Sequence, residues 1–379
     1  MAHLDFLRLD LLRGAVLATS LIAACSGKTS GGTAGTGGSA GAAGGSDGGV
    51  TCPTTTFGGA GAAAPAMLVS APGAVDVQLV LAGGTVYWTE KAKGTVNSIP
   101  VAGGTTTVVA TAQMSPGPLA VDGASVFRAN GDGVVMNKTG TAAATMFLAA
   151  TTNPITDDPD ANTVNALLAA SGTLYVGRFV EALKVPTAGG TPVVLSHSPA
   201  ADKGRPGVFI LDPTHLYQTE IVHQAITRET LDGLQNGLIE DHVTRVALAP
   251  DRIAVSQGAL VDDAIALSGG NVVWADGNNI KTKKVTAAEN DSFTVIGNSK
   301  EYNPISGFVL SGTTVYLGET MSNKIEKLKL FVDLASTCTN EGTVVASDQV
   351  NAGQFAADDT NVYWRTCGAT ACQIMKMAK

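Results

Sequence analysis

The chain is short of the residues that build helical or highly charged proteins. Of its 379 residues only 15% are charged and 5% aromatic, with 3 Trp in all. That scarcity argues against long amphipathic helices, which set a charged face against an apolar one. Basic residues are too few and too scattered to clamp a phosphate backbone: the net charge is -8, and the longest basic cluster is Lys281-Thr282-Lys283-Lys284. Nucleic acid is therefore excluded as an expected partner. Histidine is equally sparse, at 5 residues, with no His-Glu-x-x-His helix and no pair at zinc spacing. Gly-x-Ser-x-Gly, the nucleophile elbow of serine hydrolases, does not occur. What the chain has is 45 Gly together with a hydrophobic fraction of 45% that rests on Ala and Val. Short strands joined by tight turns suit this composition.

The N-terminus reads as an export signal. Arg8 and Arg13 precede an apolar stretch at 14–24, which is too short to span a bilayer and ends in small residues. The sequence Leu21-Ile22-Ala23-Ala24-Cys25 resembles the bacterial lipobox. The resemblance implies cleavage after residue 24 and acylation of Cys25, with palmitate-type chains anchoring the protein to a lipid bilayer. Several acyl chains on one residue give lasting attachment, whereas a single chain binds only marginally. Ser26 follows the cysteine, and in the enterobacterial sorting pattern a residue other than Asp there implies the outer membrane of a Gram-negative envelope. Residues 25–64 are dominated by Gly, Ser, Ala and Thr, which bury too little apolar surface to offset their ordering entropy, so this segment is expected to be a tether. Gly27-Lys28-Thr29 and Gly58-Gly59-Ala60-Gly61 look like fragments of phosphate-binding loops, but neither follows a strand or opens a helix.

From residue 65 onward a pattern recurs: an apolar strand, a Gly- or Asp-containing turn, a strand centred on an aromatic, and two more strands. Its anchors include Leu81-Ala-Gly-Gly-Thr-Val-Tyr-Trp88, Leu211-Asp-Pro-Thr-His-Leu-Tyr217 and Ala357-Asp-Asp-Thr-Asn-Val-Tyr-Trp364. Seven copies place Tyr87, Phe127, Tyr175, Tyr217, Val273, Tyr316 and Tyr363 at the aromatic position. Their spacing averages about 46 residues, which matches a four-stranded propeller blade. The last copy supplies three strands before the chain stops, and an unmatched apolar segment, Ala66-Met67-Leu68-Val69-Ser70, precedes the first. Pairing that segment with the last copy closes a ring and removes the edges of an open sheet. The expected fold of 65–379 is therefore an all-β, seven-bladed β-propeller. The long interval between Tyr217 and Val273, with Val246, Leu248, Ile253 and Val255, leaves an eighth blade or an irregular fourth as alternatives. A β-sandwich or β-helix is the competing architecture.

Tyr-Trp-Thr-Glu at 87–90 and Tyr-Trp at 363–364 resemble the YWTD-type and related extracellular propeller repeats, and propeller lipoproteins of uncharacterised function in some Gram-negative bacteria. YWTD propellers usually have six blades, so six is a further alternative.

With strands a to d running outward in each blade, the a–b and c–d turns share one face, and the b–c loops and blade connections share the other. Short Gly turns give the first face little reach, so binding is expected on the loop face. Its longer connections are expected at 151–164, 197–207, 285–305 and 347–353. The candidate binding residues are His197, Lys203, Arg205, His223, Lys300, Glu301 and Tyr302. Asp157, Asp158, Asp160 and Asn162 form an oxygen-rich cluster suited to calcium, set against the plainer reading of a solvated acidic loop, and they lack EF-hand spacing. His215 lies beside an a–b turn and reads as structural.

Four cysteines remain besides Cys25, and an even number in an exported chain favours disulfides. Cys367 and Cys372 flank a b–c loop and are expected to pair, leaving Cys52 with Cys338, or two free thiols. The leading functional reading is a monomeric, lipid-anchored module that binds a protein, glycan or other envelope ligand. The alternatives are a propeller enzyme of the lyase or lactonase type, with a metal or histidine at the channel mouth, and a passive structural module.

Overall fold

A computed structural model describes residues 64–72, 78–150, 163–178, 181–197, 206–220, 225–232, 251–255, 260–287, 292–299, 303–330, 340–369 and 371–379. Among them the chain is almost entirely strand, and the sheets are those of a seven-bladed propeller.

The first strand, β1 (Ala66–Pro72), belongs to the last blade. Blade one runs β2 (Leu79–Ala82), β3 (Thr85–Glu90), β4 (Thr95–Pro100) and β5 (Thr107–Ala110). Blade two is β6 (Leu119–Asp122), β7 (Ser125–Ala129), β8 (Val135–Thr139) and β9 (Thr145–Leu148). Blade three is β10 (Val164–Ala170), β11 (Thr173–Arg178), β12 (Glu181–Pro186) and β13 (Val193–His197). Blade four is β14 (Pro206–Leu211), β15 (His215–Glu220), β16 (Ala225–Thr230) and β17 (Asp251–Val255). Blade five comprises β18 (Leu260–Ser268), β19 (Asn271–Asp276), β20 (Asn279–Lys284) and β21 (Thr294–Asn298). Blade six starts with β22 (Ile305–Ser311), β23 (Thr314–Glu319) and β24 (Ile325–Lys329). The two-residue β25 (Asn340–Glu341) then pairs parallel to β21 on the edge of blade five, and β26 (Thr343–Ala346) completes blade six. Blade seven is β27 (Gly353–Ala357), β28 (Asn361–Cys367) and β29 (Ala371–Ala378), completed by β1 in the order β1-β29-β28-β27. The a strands touch one another in cyclic order, and β27 closes onto β2.

Two details differ from the sequence expectation. The surplus around Val246 to Val255 does not found an eighth blade: Ile253 and Val255 lie in β17, the outer strand of blade four, while 233–250 lies outside the described residues. The stretch 285–305 is not one loop-face connection either. β21 falls inside it as the fourth strand of blade five, while 288–291 and 300–302 lie outside the described residues.

Period two explains how the blades pack. In strand b the second and fourth residues face the preceding blade, so Val86 and Trp88 join Tyr363 and Ile374 of blade seven, and Val362 and Trp364 join Tyr316 and Ile325 of blade six. All three tryptophans, Trp88, Trp274 and Trp364, occupy the fourth position and are at most 1% exposed. Burying rings of this size contributes an upper bound of roughly 4 to 6 kcal/mol each. The fifth position of strand b instead meets the next blade. In blade three it is Gly177, where a Cβ would stand 2.7 Å from Pro206 and 2.8 Å from Phe209. Only glycine lets blade four approach that closely.

Two a–b turns are built without glycine. Asp212 Oδ1 accepts from the backbone N–H groups of Thr214 and His215, and Oδ2 accepts from Tyr217 Oη at 2.6 Å. Asp358 repeats the arrangement with Thr360, Asn361 and Tyr363. These bonds hold both carboxyls below the usual range despite partial desolvation, Asp212 at about 2. His215 shares this turn, its Nδ1 2.8 Å from Thr214 Oγ1, which is the structural role expected of it.

Candidate functional site

Most of the residues singled out from sequence lie outside the described residues: Cys25, Cys52 and Cys338, the Asp157, Asp158, Asp160 and Asn162 cluster, Lys203, Arg205, His223, Lys300, Glu301 and Tyr302. His197 is the last residue of β13 rather than part of a loop. Cys367 and Cys372 do meet, directly opposite one another in the β28–β29 register with their sulfurs 2.01 Å apart, as a disulfide requires.

What the described residues bring together is the loop-face mouth of the central channel. Along the channel lies a cavity of about 390 Å³, bordered by strand-a residues that include Leu79, Leu119, Leu167, Phe209 and Phe355. A recess of about 390 Å³ on the loop face shares Gln78, Asn165 and Gln354 with it, and adds Thr89, Lys91 and Arg365. Each volume lies in the range of small-ligand sites, about 300 to 1,000 Å³. Three amides and two cations therefore stand around one opening, and no carboxylate is among its lining residues that are described.

The backbone aims these side chains. Strand a carries a register shift near its start in blades three, four, five, six and seven, and Asn165 and Gln354 stand within those shifts. A bulge turns one side chain away from the ladder and is frequent at rims and sites. Gln354 also holds φ at 52°, a left-handed conformation uncommon for a residue with a side chain. Gln78 has no bulge but is fixed by its backbone: Thr89 N donates to Gln78 O at 3.2 Å, and Gln78 N donates to Thr89 Oγ1 at 3.4 Å. Arg365 runs beside Gly353, where a Cβ would lie 3.3 Å from Nη2.

Two of these groups are buried without a hydrogen-bond partner: Gln78 Oε1 and Asn165 Nδ2. An unsatisfied buried polar atom costs about 1 to 3 kcal/mol. Both belong to residues that border one opening, although the two atoms themselves are closed to solvent.

The wall between blades one and two is knitted separately. Gln113 N donates to Gly94 O at 2.9 Å, and Arg128 Nε donates to Gln113 Oε1 at 2.7 Å. Arg128 is fully buried, its Nη1 and Nη2 have no partner, and burial lowers its pKa to about 10.

The acids that end strand b are engaged elsewhere. Glu90 accepts from Trp88 Nε1 at 3.2 Å and pairs with Lys93 at 2.5 Å. Asp276 pairs with Lys281 at 2.6 Å, whose ammonium also sits 4.1 Å from the Phe293 ring centroid. In blade four, Gln218 Nε2 donates to Glu229 Oε1 at 2.9 Å. Burial, reinforced by nearby Glu220, raises Glu229 to about 8. Among the described residues no group of three or more His, Cys, Asp or Glu is placed to hold a metal ion.

Sequence reading missed the mouth because its residues carry no motif. Gln78, Asn165 and Gln354 follow different neighbours and are united only by ring closure. The one available signal is a polar amide near the start of an otherwise apolar strand a.

No protein-family model matches the chain, and no curated protein matches it in sequence. Solved structures match its fold. Virginiamycin B lyase from Staphylococcus aureus, solved as a catalytically inactive variant with quinupristin, superposes with a TM-score of 0.61 at 13% identity, covering 83% of this chain and 98% of the lyase. YCF48 bound to D1 peptide gives a TM-score of 0.56 at 9% identity, covering 86% and 97%. BamB from Moraxella catarrhalis gives 0.52 at 12% identity, covering 83% and 91%. At these identities the likeness is one of fold, which is shared by an enzyme and by proteins of other kinds.

Proposed function

We propose that this protein is an exported lipoprotein whose propeller binds an envelope ligand at the loop-face mouth of its channel. The lipobox-like segment ending in Cys25 supports acylation, and the Gly-rich 26–64 supports a tether that holds the ring clear of the lipid. The observation that carries the binding reading is the convergence of Gln78, Asn165, Gln354, Lys91 and Arg365 on one opening. The likeness in fold to YCF48, solved with a bound peptide, is consistent with a propeller that binds a ligand.

Two measurements test this reading. Metabolic labelling with palmitate is expected to mark the wild-type protein and not Cys25→Ala, which should leave the membrane fraction; labelling of the variant would overturn the anchor. A photo-crosslinking residue at Lys91, on the loop face, is expected to trap a discrete adduct in envelopes, and one at Thr105, in a c–d turn, is not. Adducts from Thr105 alone, or from neither position, would overturn the binding face.

A further inference from the structure

We propose that the exposed methionines of the ring are sulfoxidation sites, and that they make the protein a reversible sink for hypohalous acid. This role is separate from ligand binding and uses none of the residues at the channel mouth.

The fold sorts its oxidisable groups by what their oxidation would do. Methionine is ordinarily a buried residue that fills gaps in a core. Here Met67, Met114, Met146 and Met321 are 55% to 74% exposed, and none of them packs into a core cluster. They are spread around the ring: Met67 and Met146 on the outer strands β1 and β9, Met114 between blades one and two, and Met321 between strands b and c of blade six. The groups whose oxidation would damage the ring are placed the other way. Met375 and Met377 are buried with Trp364 in a cluster of the closing blade, and Trp88 and Trp274 are buried as deeply. Cys367 and Cys372 are already joined. The contrast is sharpest across one ladder, where exposed Met67 stands directly opposite buried Met375.

The chemistry is a two-electron oxygen transfer. The thioether sulfur gives up two electrons and gains one S=O bond; the oxygen–halogen bond of the acid breaks, the halogen leaves as halide, and the proton goes to water. A sulfoxide is polar and disrupts a core, whereas on a side chain already in water it displaces nothing. A thiol-dependent sulfoxide reductase reverses the step: the oxygen leaves as water and a dithiol becomes a disulfide.

The test treats the full-length chain, with any free thiol first alkylated, with rising doses of hypochlorous acid. Peptide mass spectrometry reads each site and thermal melting reads the fold. The expected result is sulfoxide at all four exposed positions before Met375, Met377 or any tryptophan is touched, with the melting midpoint unchanged at that dose. Reductase and a dithiol then return the chain to its starting mass. The combined variant Met67→Val, Met114→Leu, Met146→Val and Met321→Leu is expected to lose its fold at a several-fold lower dose than wild type. Valine fits the two strand positions, since Val108 occupies the same register position in blade one. Oxidation of Met375, Met377 or tryptophan at the same dose as the exposed four would overturn the assignment of the sites. Equal tolerance in the variant and wild type, or a wild-type midpoint that falls as the four are oxidised, would overturn the sink.

Discussion

The two faces of the ring solve the same backbone problem with different residues. On the turn face nearly every left-handed position is glycine: Gly83, Gly84, Gly123 and Gly172 in a–b turns, Gly103 and Gly104 in a c–d turn, with Ser171 the described exception. A Cβ at any of those glycines would meet nothing within 4 Å. On the loop face the left-handed positions include Ala112, Ser115, Asn323, Asp348, Asn351 and Gln354, all carrying side chains. A relaxed turn needs glycine and little else around it, whereas a strained residue persists only where its surroundings over-determine it. The turn face is thus cheap and repetitive, and the loop face is individually built. The recess bordered by Gln78 and Asn165, each with a buried amide atom that lacks a partner, lies on the second face.

The largest expected effect breaks that contrast at a single residue type. Gly94 is a loop-face glycine with φ of 62°, and a Cβ there would stand 2.4 Å from Gln113 O. Gly94→Ala should cost about 3 kcal/mol, summing left-handed strain and a backbone clash. Gly84→Ala, at φ of 70° in open space, should cost only about 1 kcal/mol. Urea denaturation of both variants measures the difference, and equal losses would show that crowding does not distinguish the faces.

The next effect concerns the wall between blades one and two. Arg128 is buried with two unpaired nitrogens, and replacing an uncompensated buried charge by an apolar chain of similar length removes a desolvation cost. Arg128→Met is expected to stabilise the fold by about 1 to 2 kcal/mol while loosening the Gln113 connection. A destabilised variant would mean that the Arg128 to Gln113 bond outweighs the cost of burial.

Charge gives a third comparison, between carboxyls on the turn face and one between blades. Glu229 has its folded pKa raised to about 8, so its stabilising contribution is complete below its unfolded value and is lost as pH rises through 8. Glu229→Gln should flatten the stability profile between about pH 5 and 9, with the variant gaining on wild type at the alkaline end. Asp212, lowered to about 2, behaves oppositely: its contribution is present above the unfolded carboxylate value and is lost as pH falls toward 2. Asp212→Asn should therefore narrow the difference from wild type under strong acid. Thermal melts across pH decide both signs.

The smallest effect is at the mouth. Gln354→Gly keeps the left-handed backbone and removes its strain, so stability should rise by up to about 1 kcal/mol, while affinity for any mouth ligand should fall. A stability gain without loss of binding would show that the Gln354 side chain does not contact the ligand.

The fold was legible because a propeller repeats its instructions. A Gly or Asp turn followed by a polar residue, an aliphatic and, in six of the seven copies, an aromatic specifies each a–b hairpin, and seven such turns at nearly even spacing leave few other architectures. Even closure was readable, since Ala66 to Ser70 lacked a local partner while the last copy lacked a strand. Blade four was not: its surplus between Thr230 and Asp251 carries apolar residues that fit a further strand pair as well as the outer strand β17. The Asp212 and Asp358 turns were visible as Asp-x-Thr, but their tyrosine hydrogen bonds depend on where strand b directs a side chain five residues later.

The sequence alone therefore determined the all-β class, a repeat of propeller-blade length, the strand that closes the ring and the cysteine pair that faces across the last hairpin. All of these are set by local periodicity or by a short separation along the chain. Only the tertiary structure decided that Gln78, Asn165, Gln354, Lys91 and Arg365 share one opening, because they come from three blades whose adjacency exists only once residue 66 has paired with residue 376. Local signals repeat along the chain and are read one at a time, whereas a site at the axis of a ring is made by closure, which no local window contains.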